Sequence, residues 1–310
     1  MNPLSTIFGA GVAVRNALYD QGVFKVRKLA RPVVSVGNIS VGGSGKTPFV
    51  IALGELLKQR GITFDVLSRG YGRTGTEVAI VDANGPPEHF GDEPLLIARK
   101  LQVPVIVGAD RYQAGRLAES KFASQLHLLD DGFQHRRLHR DFDVVVLPDS
   151  DVEDSLLPGG RLREPVSALR RADALVLLGQ ASFNKSVIWR ARRQMIVEGT
   201  VGKAIAFCGI GRPRQFLTGL RDLGMEVAES ISFPDHHRYA ESDIATLLDL
   251  KSRVGAAAFI TTEKDLINLG SLAGPLKPLQ AAQVVISLED PSFALRTLLA
   301  TLEGRSGCRL

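Results

Sequence analysis

The chain has 310 residues, 45% hydrophobic and 23% charged, with a formal net charge of +5 at pH 7. That composition excludes a disordered chain, and the length suits about two domains. No uncharged apolar run reaches a bilayer span and no signal-peptide pattern precedes the first strand. Two cysteines, Cys208 and Cys308, show no metal-ligand spacing and fit a reducing cytoplasm, while a pI near 9.3 selects for anionic partners without choosing among nucleotides, phosphorylated substrates, acidic lipid and nucleic acid.

Residues 4–19 place Leu4, Ile7, Phe8, Val12, Leu18 and Tyr19 at roughly helical spacing, and Lys25, Arg27, Lys28 and Arg31 follow. Two readings stand: an amphipathic helix on an anionic membrane surface, or a first helix packed on its own domain beside a solvated basic turn. The chain starts close to this helix, so no longer N-terminal extension is expected. An apolar strand at 33–36 then runs into Ser40-Val41-Gly42-Gly43-Ser44-Gly45-Lys46-Thr47 and a helix. Strand, glycine loop and helix in that order are the context of a phosphate-binding loop. Gly42, Gly43 and Gly45 let backbone N–H groups turn inward around polyphosphate oxygens, Lys46 reaches the terminal phosphates, and the Thr47 hydroxyl is a magnesium ligand. Ser40 replaces the first glycine of the usual pattern, and Pro48 is tolerated in a first helical turn. The alternative is a glycine-rich turn before an ordinary helix.

The stripe Phe49, Val50, Leu53, Leu56 and Leu57 predicts a sheet-covering helix capped at Gly61, followed by a strand at 62–67. Arg69 and Arg73 at that strand's end suit an anion or a solvated turn. A short strand is predicted at 77–82. Gly91-Asp92-Glu93-Pro94 opens a helix in which Asp92 is an N-cap, or else the paired acids serve as a proton acceptor or metal contact. A strand at 103–107 delivers Arg111, and one at 125–129 delivers Asp130 and Asp131, whose side chains point to opposite faces so that one carboxylate faces magnesium. Strands at 143–147 and 174–178 flank a turn-rich charged loop at 157–165.

Alternating strands and helical stripes predict an α/β fold of the P-loop NTPase type, a parallel sheet with helices on both faces, with ligands at the carboxyl ends of the strands. Residues 1–180 form this unit, and the basic stretch 181–203 reads as a link. A smaller α/β unit, 204–310, has strands at 204–208, 227–233, 257–261 and 283–288 and a helix at 241–254 with Gly255 past its end.

The ordered set of Ser40–Thr47, Ser68–Arg73, Gly91–Pro94, Gly108–Arg111, Asp130–His135, Leu157–Pro165, Cys208–Ile210, Phe233–Tyr239 and Thr262–Asp265 resembles the tetraacyldisaccharide 4'-kinase family from about residue 30 to 290. The resemblance implies transfer of the ATP γ-phosphoryl group to the 4'-hydroxyl of a tetraacylated glucosamine disaccharide 1-phosphate, by a peripheral protein at the cytoplasmic face of the inner membrane. It also implies two α/β domains with ATP between them, the smaller closing over the cleft. It raises the membrane reading of residues 1–31, because the substrate is an anionic lipid. By similarity, Lys46 and the loop hold the phosphates, Thr47 and one of Asp130 and Asp131 organise Mg²⁺, and Asp92 accepts the hydroxyl proton with a histidine of the second domain, His236 ahead of His237. Arg69, Arg73 and Arg111 are placed to neutralise the substrate's phosphate or the transferred one. Two other readings share the loop: a nucleotide-switched binding protein and a kinase of a soluble metabolite. A GTPase needs [NT]-K-x-D for its base, and Thr262-Glu263-Lys264-Asp265 sets lysine and aspartate side by side. Nucleic acid fits least, with scattered basic residues and 6% aromatics, and no obligate protein partner is inferred.

Overall fold

The computed structural model describes residues 2–199 and 202–306; Cys308 lies outside them. The first half runs α1 (Pro3–Asp20), β1 (Val33–Gly37), α2 (Lys46–Gln59), β2 (Phe64–Ser68), β3 (Ala79–Ile80), α3 (Pro87–Phe90), α4 (Asp92–Leu101), β4 (Val105–Val107), α5 (Arg111–Lys121), β5 (Leu126–Asp130), β6 (Phe142–Leu147) and β7 (Ala174–Leu177). After β8 (Ile188–Val197) come β9 (Ala204–Cys208), α6 (Pro213–Asp222), β10 (Val227–Ser232), α7 (Glu241–Val254), β11 (Ala258–Thr262), α8 (Glu263–Leu269), β12 (Leu279–Leu288) and α9 (Pro291–Ser306).

Twelve strands among the described residues join in one mostly parallel sheet, ordered β10-β9-β11-β12-β8-β7-β6-β1-β5-β2-β4-β3. The strands nearest the site, β1, β2, β5 and β6, are buried on both faces, as parallel strands covered by helices must be. The predicted stripe of α2 buries Phe49, Val50, Leu53 and Leu57 on that sheet. Gly54 lets α4 approach: a Cβ there would stand 2.6 Å from Leu101.

β8 is where the two halves become one sheet. Its first residues pair in parallel with β7, Trp189 opposite Val176, and residues 191–197 pair antiparallel with β12. The basic stretch expected as a link holds a strand: Trp189 and Ala191 turn inward, Arg190 and Arg192 take the other face, and Arg193, on the face of Trp189, lines the cleft and donates to Gln215 at 2.9 Å, so charge masked the period of two. The chain also returns across the expected division at 181–203, because Ala294, Leu295, Leu298 and Leu302 of α9 join the core of the first half with Trp189, Phe142 and Val144. Two local expectations are corrected. The strand at 77–82 is reduced to Ala79–Ile80, and the N-cap of α4 is Gly91, with Asp92 the first helical residue.

Trp189 ties these parts together. It is 2% exposed, its ring stacks on Phe142 at 5.8 Å and its indole N–H donates to Thr297 Oγ1 of α9 at 3.2 Å. Trp189→Ala is expected to cost about 3–5 kcal/mol in a denaturant titration, the range for removing a buried aromatic; a change within about 1 kcal/mol would show that this junction carries no core packing.

Candidate functional site

The loop between β1 and α2 folds as a cradle because its glycines take backbone conformations that side chains resist: φ is +66° at Gly42, +53° at Gly43 and +91° at Gly45. Gly45 is the N-cap of α2 and offers no side chain, so the helix N-terminus stays open to an anion. Asn38 braces the loop from inside, donating to the Ser40 carbonyl (2.8 Å) and to Ser44 Oγ (2.7 Å). Lys46 Nζ lies 3.0 Å from Asn38 Oδ1 and 3.4 Å from Asp131 Oδ1. The segment 155–164 supports the loop from outside: Val41 N donates to the Arg161 carbonyl and Arg163 N to the Ile39 carbonyl.

The two acids after β5 do diverge, as successive side chains should. Asp131, at φ +50°, receives Arg163 at 2.8 Å and faces Lys46. Burial works against its charge, but Lys46 and Arg163 hold it well below the usual carboxylate range. Asp130 is buried, accepts from the Ser68 hydroxyl at 3.1 Å through Oδ2, and has no hydrogen-bond partner at Oδ1. Burial, with the charges of Glu93 and Asp131 beside it, pushes its carboxyl up to about 7. A divalent cation would supply the missing partner and the missing charge, so the residues fit magnesium. Among the described residues no three His, Cys, Asp or Glu form a metal-holding group, which agrees with an ion bound through one or two carboxylates and substrate phosphates.

These residues line a cleft of about 350 Å³ whose far wall is the second half. The loop after β9 presses on the cradle, with Gly211 against Gly42 and the Arg212 stem over Gly43. His236, at φ +57° in the loop after β10, brings Nδ1 to 2.9 Å from Asp92 Oδ2, and Asn268 of α8 donates to the same oxygen at 3.2 Å. Beside them Lys264, at the start of α8, is paired with Glu93. Burial disfavours the Asp92 charge, yet His236, Lys264 and Asn268 hold its carboxyl below the ordinary value. Burial likewise opposes a charged His236, and the Asp92 bond and charge outweigh it, so the imidazole is raised. His237 points elsewhere, stacked on Phe233 and bonded to Asp243 at 3.0 Å.

Of the three arginines singled out in the sequence, Arg69 lines the cleft. Arg111 is buried, donates to the Ala109 carbonyl at 2.9 Å and has Asp131 and Asp130 as its nearest opposing charges, while burial lowers its pKa. Arg73 donates to the Glu77 carbonyl of its own loop and is not on the cleft wall. Sequence reasoning did not single out Asn38, Arg163, Lys264, Asn268 or Arg212. Arg163 and Lys264 lie inside the motif segments 157–165 and 262–265, a signal that was available; Asn38 and Asn268 carry none that spacing reveals. Lys264 and Asp265 are also occupied, one with Glu93 and the other with the Gly209 N–H and the Tyr239 hydroxyl.

The sequence pattern of the family described as tetraacyldisaccharide-1-P 4'-kinase, LpxK, matches residues 1–303. A tetraacyldisaccharide 4'-kinase of Koribacter versatilis (strain Ellin345) is 49% identical over 322 residues, 99% of this chain and 100% of the relative. One from Aquifex aeolicus (strain VF5) is 42% identical over 289 residues, 86% of this chain and 88% of the relative. The fold matches a crystal structure of the "apo" form of LpxK from Aquifex aeolicus in complex with ATP, with a TM-score of 0.78 and 36% identity over 97% of this chain and 98% of that one. On a pattern that spans nearly its whole length and on relatives this similar, the chain belongs to the tetraacyldisaccharide-1-P 4'-kinase family.

Proposed function

We propose that the protein transfers the γ-phosphoryl group of ATP to the 4'-hydroxyl of a tetraacylated glucosamine disaccharide 1-phosphate, a step of lipid A synthesis. One observation carries this reading: His236, hydrogen-bonded across the two halves to Asp92, lines the same cleft as the phosphate cradle. In the transfer a bond forms between the 4'-oxygen and the γ-phosphorus, the bond to the β,γ-bridging oxygen breaks, ADP departs and the hydroxyl proton goes to the Asp92–His236 pair. Phosphoryl transfer asks mainly for alignment and neutralised charge. The loop N–H groups and Lys46 bind and orient the triphosphate. Thr47 and Asp130, the acid with an unpartnered oxygen, would hold magnesium, which supplies charge neutralisation at the phosphates. Asp131 orients Lys46 and Arg163, and Arg69 on the cleft wall is the arginine placed for a substrate phosphate.

The lipid acceptor is supported by α1. Leu4, Ile7 and Val14 fall on one face, 61–69% exposed, and Val23, Phe24 and Val26 continue it beside Lys25, Arg27, Lys28 and Arg31. An exposed apolar stripe flanked by cations is the pattern of a helix lying on an anionic bilayer. No helix among the described residues is long and apolar enough to cross a membrane. A peripheral position at the cytoplasmic face of the inner membrane follows from this reading. The same helix favours a lipid over a soluble metabolite as acceptor.

Incubated with ATP, magnesium and the tetraacyl disaccharide 1-phosphate in detergent, the protein should add one phosphate to the lipid by mass. Asp92→Ala should slow that turnover about 10²–10⁴-fold, the usual span for removing a general base, with ATP affinity nearly unchanged; near-normal turnover would leave Asp92 a purely structural residue.

The raised His236 value sets a pH dependence. The pair accepts a proton only after losing its own, so turnover should rise with pH through a midpoint above the ordinary imidazole value of about 6.5. Asp92→Asn removes the carboxylate charge, so the midpoint of its residual activity should move down; an unmoved midpoint would detach the pair from proton transfer.

Replacing Leu4, Ile7 and Val14 together with serine should abolish sedimentation with anionic vesicles while leaving the melting temperature and ATP affinity intact. Retained sedimentation would remove α1 from the membrane contact.

A further inference from the structure

Ser40 is the one position at which the phosphate loop departs from the usual glycine pattern, and the structure gives it a partner outside the cradle. Ser40 is fully buried, and its hydroxyl donates to Asp151 Oδ2 at 2.5 Å. Asp151, in the turn after β6, is also fully buried and does not line the cleft. Its other oxygen accepts from Arg212 Nη2 at 2.8 Å and from the Ser150 hydroxyl at 3.3 Å. Arg212 comes from the facing half, is 6% exposed, and lines the cleft. Its stem lies so close to the cradle that a Cβ at Gly43 would stand 2.7 Å from Arg212 Cγ. Its two Nη groups are taken by Asp151 and Ser150, while its Nε is buried with no acceptor.

We propose that Asp151 is a positioning residue for the nucleotide: one carboxylate fastens Ser40 of the phosphate loop and Arg212 of the second half into a single unit around the triphosphate site. A glycine at position 40 has no group to offer this acid, whereas a hydroxyl satisfies one of its oxygens and leaves the other for the arginine. Arg161 Nη2 stands farther off, 3.8 Å from the same oxygen as Arg212, so the short contacts to Ser40 and Arg212 do most to hold this buried charge, which alone would be expensive. The loop and Arg212 therefore hold their mutual position together, and ATP affinity depends on an acid that does not touch ATP. The inference rests on the kinase reading above and adds a residue to it.

The test uses the full chain and two readouts, calorimetric binding of magnesium-ATP and steady-state kinetics with both substrates. Asp151→Asn should weaken ATP binding and raise KM for ATP by about tenfold or more, with kcat at saturating ATP within about threefold and KM for the lipid unchanged, a split that general damage does not produce. Ser40→Ala should weaken ATP binding in the same direction, and the double variant should be no weaker than Asp151→Asn alone, since both changes break one linkage. Unchanged ATP affinity, effects that multiply, or a parallel rise in both KM values would each overturn the proposal. If Asp151→Asn does not fold, Ser40→Ala decides alone: it deletes one oxygen and leaves the Asp151–Arg212 pair, and unaltered ATP affinity in it refutes the linkage. A parent protein that binds ATP with these variant effects but phosphorylates no lipid would instead refute the kinase reading and leave the positioning role standing.

Discussion

Charges buried between the two halves are the constraint on which the site depends. Asp92 meets His236, Glu93 meets Lys264 and Asp151 meets Arg212, each pair drawn from opposite sides of β8. An ion withdrawn from water without its partner costs several kcal/mol, and pairing roughly repays that only when geometry and extra hydrogen bonds are good. These pairs therefore match one half to the other in one arrangement, and a shift between the halves would leave the charges unpaired. The apolar contact of Leu95 and Leu96 with Ile267 adds a non-directional attraction at the same seam. His236 and the phosphate cradle line one cleft because these pairs hold the halves in one register.

Within the closed cleft, opposite demands are met by adjacent residues. Asp131 is held ionised by Lys46 and Arg163, so it stays a fixed negative charge that steers two cations. Asp130, one residue earlier, is buried with acids around it and carries an oxygen with no partner, which makes it the place where added positive charge is most favourable. One residue holds charge that is already balanced and the other creates a demand for it. Lys46 is held beside the loop by Asn38 and Asp131. The site is thus preorganised, and little reorientation is left for the moment of transfer.

Much of this was legible in the sequence, for physical reasons that differ by element. The α2 stripe, the strands at 204–208 and the helix over 241–254 with its glycine cap follow local rules of period and terminus, and local rules suffice there. The phosphate loop was legible because glycine, lysine and threonine at fixed spacing have few other uses together. β8 was not, since Arg190 and Arg192 on its outer face and Arg193 on the inner one hid the alternation that Trp189 and Ala191 mark. α5 escaped for a related reason: its buried face consists of Ala114, Gly115 and Ala118, too small to stand out, although Asp110 caps it by accepting from Tyr112 N and Gln113 N. Asn268 and Asp151 act on residues 176 and 111 positions away, and no spacing rule spans such distances. Local rules read Asp92 as a cap or a proton acceptor, and only the family resemblance paired it with a histidine 144 residues downstream, to which its carboxylate is turned.

The geometry also bears on how one site serves a nucleotide from water and an acceptor in a bilayer. α1 rests on segment 155–164, where Ser5 Oγ donates to the Leu156 carbonyl and Asn16 to Glu164 at 2.7 Å. That same segment pairs with the phosphate loop through Leu162 and Ser40, and it supplies Arg163 to Asp131. Glu164, wholly buried, binds Asn16 of α1, Arg171 and Gln134, and Gln134 in turn donates to the Asn38 carbonyl at 2.8 Å. Two short chains of contacts thus run from the exposed stripe of the first helix to the cradle. Because every group along them is hydrogen-bonded or packed, the height of the phosphate site above whatever surface α1 lies on is fixed by the fold. On the proposed reading, in which α1 lies on the bilayer, that fixed height would do for a lipid-anchored hydroxyl what the glycine loop does for the triphosphate.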